Sequence, residues 1–146
     1  MDEEKKLIEK LKRIEALFAG AKTEGEKGAA FNAIERIQKK LSDLQKNDSL
    51  IEYKITLSNN WSKKLFIALL HRYGLKPYRY YRQRYTTVMV KVPASFVDET
   101  LWPEFKELNE TLNLYLESVT NRVISECIHS DSSETVIKEE KKYLDK

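Results

Sequence analysis

Residues 71–92 read HRYGLKPYRYYRQRYTTVMVKV. Gly74 is a helix stop and Pro77 prevents continuation, so a helix must end where this stretch begins. Its far end, Val88-Met89-Val90-Lys91-Val92, alternates as a strand does, which sends the valines to a core and Met89 and Lys91 to the opposite face. Between them residues 77–92 read as β-structure, either a hairpin bent around Arg82-Gln83-Arg84 or one long bent strand. No Asn-Gly or Gly-x pair marks the turn. On a regular first arm Tyr78, Tyr80 and Arg82 share one face, and Arg79, Tyr81 and Gln83 the other.

Working outward, IEYKITL at 51–57 alternates and is β-branched, which predicts a strand. Ser58-Asn59-Asn60 is a turn that can cap a helix over 61–73. There Trp61, Leu65, Leu69 and Tyr73 line one face at i+4 steps, with Phe66 and Leu70 beside them. Lys64, Ala68, His71 and Arg72 share another face. From Ser95 a long helix runs toward Ile128; Ser95 and Asp98 have capping spacing, and Pro103 starts or kinks it. Leu101, Phe105, Leu108, Leu112, Tyr115 or Leu116, Val119, Val123 and Cys127 form its apolar stripe. The remainder is polar and charged, with Val136, Ile137, Tyr143 and Leu144 as its apolar anchors, and reads as a mobile tail or a loosely attached short helix.

Toward the N-terminus, residues 3–19 predict an amphipathic helix through Leu7, Ile8, Leu11, Ile14, Leu17 and Phe18. Thr23 and Glu26 have capping-box spacing, so a second helix begins near residue 24. It carries Ala30, Phe31, Ile34, Ile37, Leu41 and Leu44 on one face and ends near Asn47-Asp48. The two make an αα-hairpin. The fold class is therefore α+β: a hairpin over 1–48, a β-α-β-β-α segment with a small antiparallel sheet over 49–129, and a charged tail over 130–146.

The pattern Ile14-x-x-Leu17, Ala19, Ala21, Thr23-x-Gly25-Glu26, then Ala29, Ala30 and Ala33 before Leu41, resembles a bacterial and phage family of helical hairpins catalogued as a domain of unknown function (number 2786). The resemblance covers residues 8–45, with Lys27 and Gly28 standing where the family favours stronger helix formers. It implies a small α/β segment behind the hairpin that begins with a tryptophan-bearing helix, and Trp61, Leu65 and Leu69 match that feature. It implies no activity and no catalytic residues.

The chain has 146 residues, 41% hydrophobic and 34% charged, with a formal charge of +3. That is enough for an ordinary core under a well-solvated surface. A single cysteine, Cys127, excludes an internal disulfide and fits a reducing compartment. The longest apolar run, LFIALL at 65–70, is too short to span a membrane. The start, MDEEKKLIEK, lacks the cationic and apolar regions of a signal peptide. A cytoplasmic protein is expected, without membrane association.

The charge is strongly polarised. Between Glu52 and Asp98 lie nine lysines and arginines and no acid, whereas the other residues carry seventeen cations against twenty-three acids. Tyrosines interleave these cations, and planar rings between fixed positive charges suit phosphates and unstacked bases. The leading reading is a non-enzymatic protein that binds RNA or single-stranded DNA through Lys64, Arg72, Lys76, Tyr78, Arg79, Tyr80, Tyr81, Arg82, Arg84 and Lys91. Arginine grips phosphate bidentately and also stacks on rings. Lys63 and His71 would extend the patch if their helix borders it.

The alternative is an adaptor or inhibitor whose basic face meets an acidic protein surface. In the plainest structural reading the tyrosines cover the core edge and the arginines pair with acids of the helices. A metal-independent ribonuclease would need His71 or a tyrosine of lowered pKa as base, aided by Arg79, Arg82 and Arg84. No spacing supports a metal site, since Cys127-x-His129 stands alone. There is no glycine-rich phosphate loop and no nucleophile motif. No catalytic residue and no cofactor is expected. The hairpin must dock on the α/β part or on another chain, and the long C-terminal helix also suits homodimerisation.

Overall fold

The computed structural model of the chain describes residues 2–45 and 49–140. Two helices open it, α1 (Asp2–Ala19) and α2 (Glu24–Gln45). Thr23 Oγ1 accepts from the Glu26 amide at 3.1 Å, and Glu26 returns a carboxylate oxygen to the Lys22 amide at 3.3 Å. This is a capping box whose return bond falls one residue upstream of the cap. The expected end of α2 near Asn47-Asp48 lies outside the described residues.

Ile8 and Leu11 of α1 and Ile37 and Leu41 of α2 are buried in one cluster with Leu57, Phe66, Leu70, Val90 and Phe96, so the hairpin docks on the α/β residues of its own chain. Phe31, expected on the same face, is 52% exposed. At 100° per residue it falls about 100° from the line through Ile37 and Leu41, outside a stripe that three turns of aliphatic residues already fill.

Strands β1 (Leu50–Thr56) and β2 (Thr87–Pro93) pair antiparallel, from Leu50 opposite Pro93 to Thr56 opposite Thr87. Val88, Val90 and Val92 enter the core as their alternation requires. The fold is thus α+β, with two N-terminal helices, a small antiparallel sheet and a long C-terminal helix. The first arm of the expected hairpin is reduced to a single bridge, Tyr78 with Met89. Two tight turns, Tyr80 to Gln83 and Arg84 to Thr87, consume the residues a longer ladder would need.

Helix α3 (Asn60–Arg72) starts where Asn59 Oδ1 accepts from the Ser62 amide at 2.8 Å. Its buried face is Ser62, Phe66, Leu69 and Leu70, and Tyr73 at its end is buried as well. Trp61, expected in the core, is exposed. Each i+4 step advances 400°, so a row of such steps drifts about 40° per turn and cannot stay on one face. The steps of four and three from Ser62 to Tyr73 can. Ser62 is buried because its hydroxyl donates to Asn109 Oδ1 at 2.6 Å.

A single helical turn, α4 (Ala94–Phe96), follows β2 and runs through a π-helical turn at Val97–Leu101 into α5 (Trp102–Cys127). Pro93 holds the capping position without a side-chain bond, so the Ser95–Asp98 spacing does not form a cap. The Trp102 amide bonds back to Val97 O, five residues earlier. That wider turn sits where Pro103, which has no N–H, would otherwise press its ring on the preceding turn.

The chain divides into two units, Met1–Asn109 and Glu110–Lys146. The first holds everything described so far up to the opening turns of α5, where Leu101 and Phe105 are buried. The second continues the helix to Cys127, and residues 130–140 then have no regular structure and are exposed throughout. The expected anchors Tyr143 and Leu144 lie outside the described residues. Among the described residues no helix is long and apolar enough to cross a membrane.

Candidate functional site

The basic-aromatic loop begins at the end of α3. Gly74 has φ +72°, its amide bonds to His71 O at 3.0 Å, and the Leu75 amide bonds to Leu70 O at 3.0 Å. This paired closure is a Schellman motif, and Leu75 packs against the core cluster that contains Leu70. From α2, Gln38 Nε2 donates to the carbonyls of Arg72 (2.7 Å) and His71 (3.2 Å), so the last carbonyls of α3 are satisfied. The loop therefore leaves from a fixed point.

It is also fixed at its middle. Tyr78 exchanges both backbone bonds with Met89, at 3.0 and 2.8 Å. Gln83 closes the Tyr80–Gln83 turn with its amide, accepts from the Tyr80 amide through Oε1 at 2.9 Å, and rests Nε2 3.4 Å from Met89 Sδ. The loop thus folds over the outer sheet face. Met89, on the face opposite the core valines as expected, is buried for that reason, while Lys91 on the same face stays exposed.

Tyr78 and Tyr80 both turn toward β1 and donate their hydroxyls to the same oxygen of Glu52, Tyr80 at 2.5 Å. Their rings meet edge to face at 5.5 Å. The Tyr78 bond first, then the Tyr80 bond, holds the Glu52 carboxyl below its ordinary range. Glu52 in turn pushes both phenols up, as a hydrogen bond from the neutral form to an anion must. A tyrosine base needs the opposite shift, so neither suits that role.

The intervening and following residues face away. Tyr81 is 100% exposed, and Arg79, Arg82 and Arg84 are exposed around it. Arg82 has φ +68° at the third position of its turn, a conformation that costs a branched-Cα residue about 1–2 kcal/mol relative to glycine. Lys63 Nζ lies 3.5 Å and Arg79 Cζ 5.4 Å from the centre of the Tyr85 ring, which brings the first turns of α3 to the loop. Among the described residues, no carboxylate pairs with Arg79, Arg82 or Arg84.

The ten residues singled out from sequence are therefore divided. Lys76, Tyr78, Arg79, Tyr80, Tyr81, Arg82 and Arg84 lie on one loop, and Lys91 lies on the sheet face beneath it, opposite Glu52 in the ladder. Lys64 is exposed on α3. Arg72 is placed elsewhere: it binds Glu104 at 2.5 Å and Glu15 at 3.1 Å, and Glu104 also accepts from Tyr73 at 2.7 Å and faces Lys12 at 3.4 Å. That network ties α1, α3 and α5 together. His71 lines an apolar groove of about 580 Å³ with Phe18, Ile34, Leu65 and Leu108. It stands about 12 Å along the helix axis from Lys63.

Tyr85 was not among the ten, and Lys63 was expected only as an extension of the patch if its helix borders it; the contact between them joins both to the loop. Their signal was available, since a lysine at the first turn of a helix can reach back over a loop that returns past it. Among the described residues no cluster of His, Cys, Asp or Glu can hold a metal ion. Comparison of the chain with protein-family models, with curated proteins and with solved structures finds no match. The functional reading rests on the geometry.

Proposed function

We propose that loop 77–86 binds single-stranded nucleic acid, RNA or DNA, with bases stacking on Tyr81 and phosphates held by Arg79, Arg82, Arg84, Lys63, Lys76 and Lys91. One observation carries the reading: three exposed arginines, none with a carboxylate partner among the described residues, share with a fully exposed tyrosine a loop that is itself pinned at both ends and the middle. Exposed cations with nothing to neutralise them attract a polyanion, and an exposed ring on a rigid mount supplies a stacking surface at small entropic cost. In this assignment Tyr78 and Tyr80 are supports that hold the loop to Glu52, and Arg72 is a structural cation.

Fluorescence anisotropy with labelled single- and double-stranded oligonucleotides over a salt series tests the reading. Tyr81→Ala is expected to weaken single-strand binding by about 5- to 150-fold, the usual effect of removing one stacking ring. Replacing Arg79, Arg82 and Arg84 by alanine removes three phosphate contacts and flattens the logarithmic salt slope by about 2. No binding at low salt overturns the proposal. Salt-sensitive capture of an acidic protein, unaffected by Tyr81→Ala, would assign the same cations to the adaptor role instead.

A further inference from the structure

The C-terminal half of α5 is amphipathic without a partner. Read along the helix, Phe105, Leu108, Leu112, Leu116, Val119, Val123 and Cys127 are spaced 3-4-4-3-4-4, two successive 11-residue repeats. That period is 3.67 residues per turn, so the stripe runs nearly straight along an α-helix and suits pairing with another long helix. Its first member, Phe105, is buried in the first unit. In the second unit, Tyr115 is 69%, Val119 45% and Val123 50% exposed, and residues 130–140 of that unit are themselves exposed throughout. Leu112 and Leu116, also on the stripe, are half-buried.

We propose that a second copy of the chain covers it, antiparallel, around a two-fold axis between Tyr115 and Leu116. Two identical helices reversed about that point place Leu112 opposite Val119, Leu116 opposite Tyr115, and Leu108 opposite Val123, and each pair recurs through the two-fold. Six consecutive layers are then apolar, and no charged residue enters them. Such self-complementarity is what an isologous interface requires. A seam of sixteen residues is about 24 Å long and buries on the order of 800–1,000 Å² in total, at the low end for a specific contact. The dimer is accordingly weak and reversible. This inference is independent of the nucleic-acid reading.

Sedimentation equilibrium of the full chain over a concentration series is the test. The expected mass rises from 17.2 kDa toward twice that value. Leu116→Asp places two carboxylates at the axis and should leave a monomer, with unchanged helical circular dichroism because Leu116 lies outside the core cluster. Val119→Asp, one layer away, should do the same if Leu116→Asp misfolds. Orientation is read from Cys127. Antiparallel pairing holds the two thiols about 35 Å apart, so oxidation of the dimer yields no disulfide. A Leu112→Cys, Val119→Cys double variant with Cys127→Ser should cross-link readily. A chain that stays monomeric at high concentration, a dimer indifferent to both aspartate variants, or rapid Cys127 cross-linking within the dimer overturns the proposal.

Discussion

Gly74 shows how much one residue decides here. Its φ of +72° ends α3, and a Cβ at that position would meet Gln38 Cβ at 3.3 Å. Gly74→Ala should cost about 1–2 kcal/mol in denaturant unfolding, because the left-handed conformation is strained for any residue with a side chain. Arg82 presents the reverse case. Its φ of +68° would favour glycine, so Arg82→Gly should raise stability by about 0.5–1 kcal/mol once the greater freedom of unfolded glycine is deducted. The same change should weaken nucleic-acid binding and lower the salt slope by about 0.7, which would mark Arg82 as kept at a cost for its charge. Glu52 gives a third test. Its lowered carboxyl stabilises the loop above the ordinary carboxylate range and loses that effect as pH falls through the lowered value. The raised phenols of Tyr78 and Tyr80 stabilise it below the ordinary phenol range and lose that effect as pH rises through theirs. A phenolate absorbance titration of the intact chain should therefore show three late tyrosines, the third being Tyr73, which burial and its bond to Glu104 push up, and Glu52→Ala should return only Tyr78 and Tyr80 toward the ordinary range. Alternation placed Tyr78 and Tyr80 on one face but did not say which way that face turns, and it grouped with them Arg82, which is exposed. Their acceptor was not legible, since Glu52 lies across the sheet and nothing local in the sequence links it to them.

At the scale of elements, periodicity was read well where one face meets one neighbour and poorly where several do. The valines of β2 and the hairpin's Ile8, Leu11, Ile37 and Leu41 are buried as their spacing required. Trp61 and Phe31 are exposed because bulky apolar residues at the margin of a stripe satisfy the pattern without belonging to it. Met89 is buried because a loop with no regular structure covers it, a contact no periodicity encodes. Arg72 belongs to the same class of long-range effects: from sequence it is one more cation on a basic stretch, yet it joins three helices through Glu15 and Glu104. Arg72→Ala should destabilise the chain by about 2 kcal/mol, since it leaves the largely buried Glu104 without its closest cation, and partial exposure of the pair moderates the loss. Binding of single strands under folding conditions should change little. A large binding defect without loss of stability would instead move Arg72 back into the site.

Over the whole molecule, charge is segregated. Residues 1–109 carry twenty-one cations and fifteen acids, whereas residues 110–146 carry five and eight. The proposed attraction for a polyanion thus lies with the first unit, and the second carries an apolar helix face in an acidic segment. If that face pairs two copies, each assembly carries two stacking loops, and the consequence for binding is quantitative. A short oligonucleotide that occupies one loop should bind the wild-type chain and Leu116→Asp equally. A longer strand that reaches both loops should bind the wild type about 10²-fold more tightly than the variant, because the second contact forms at a high effective concentration. Anisotropy with strands of increasing length separates the cases. A length-dependent gain lost in Leu116→Asp requires both loops of one dimer on one strand. Equal affinities at every length, with the dimer confirmed by sedimentation, would mean that the two loops engage separate strands, and pairing would then serve to bring two strands together.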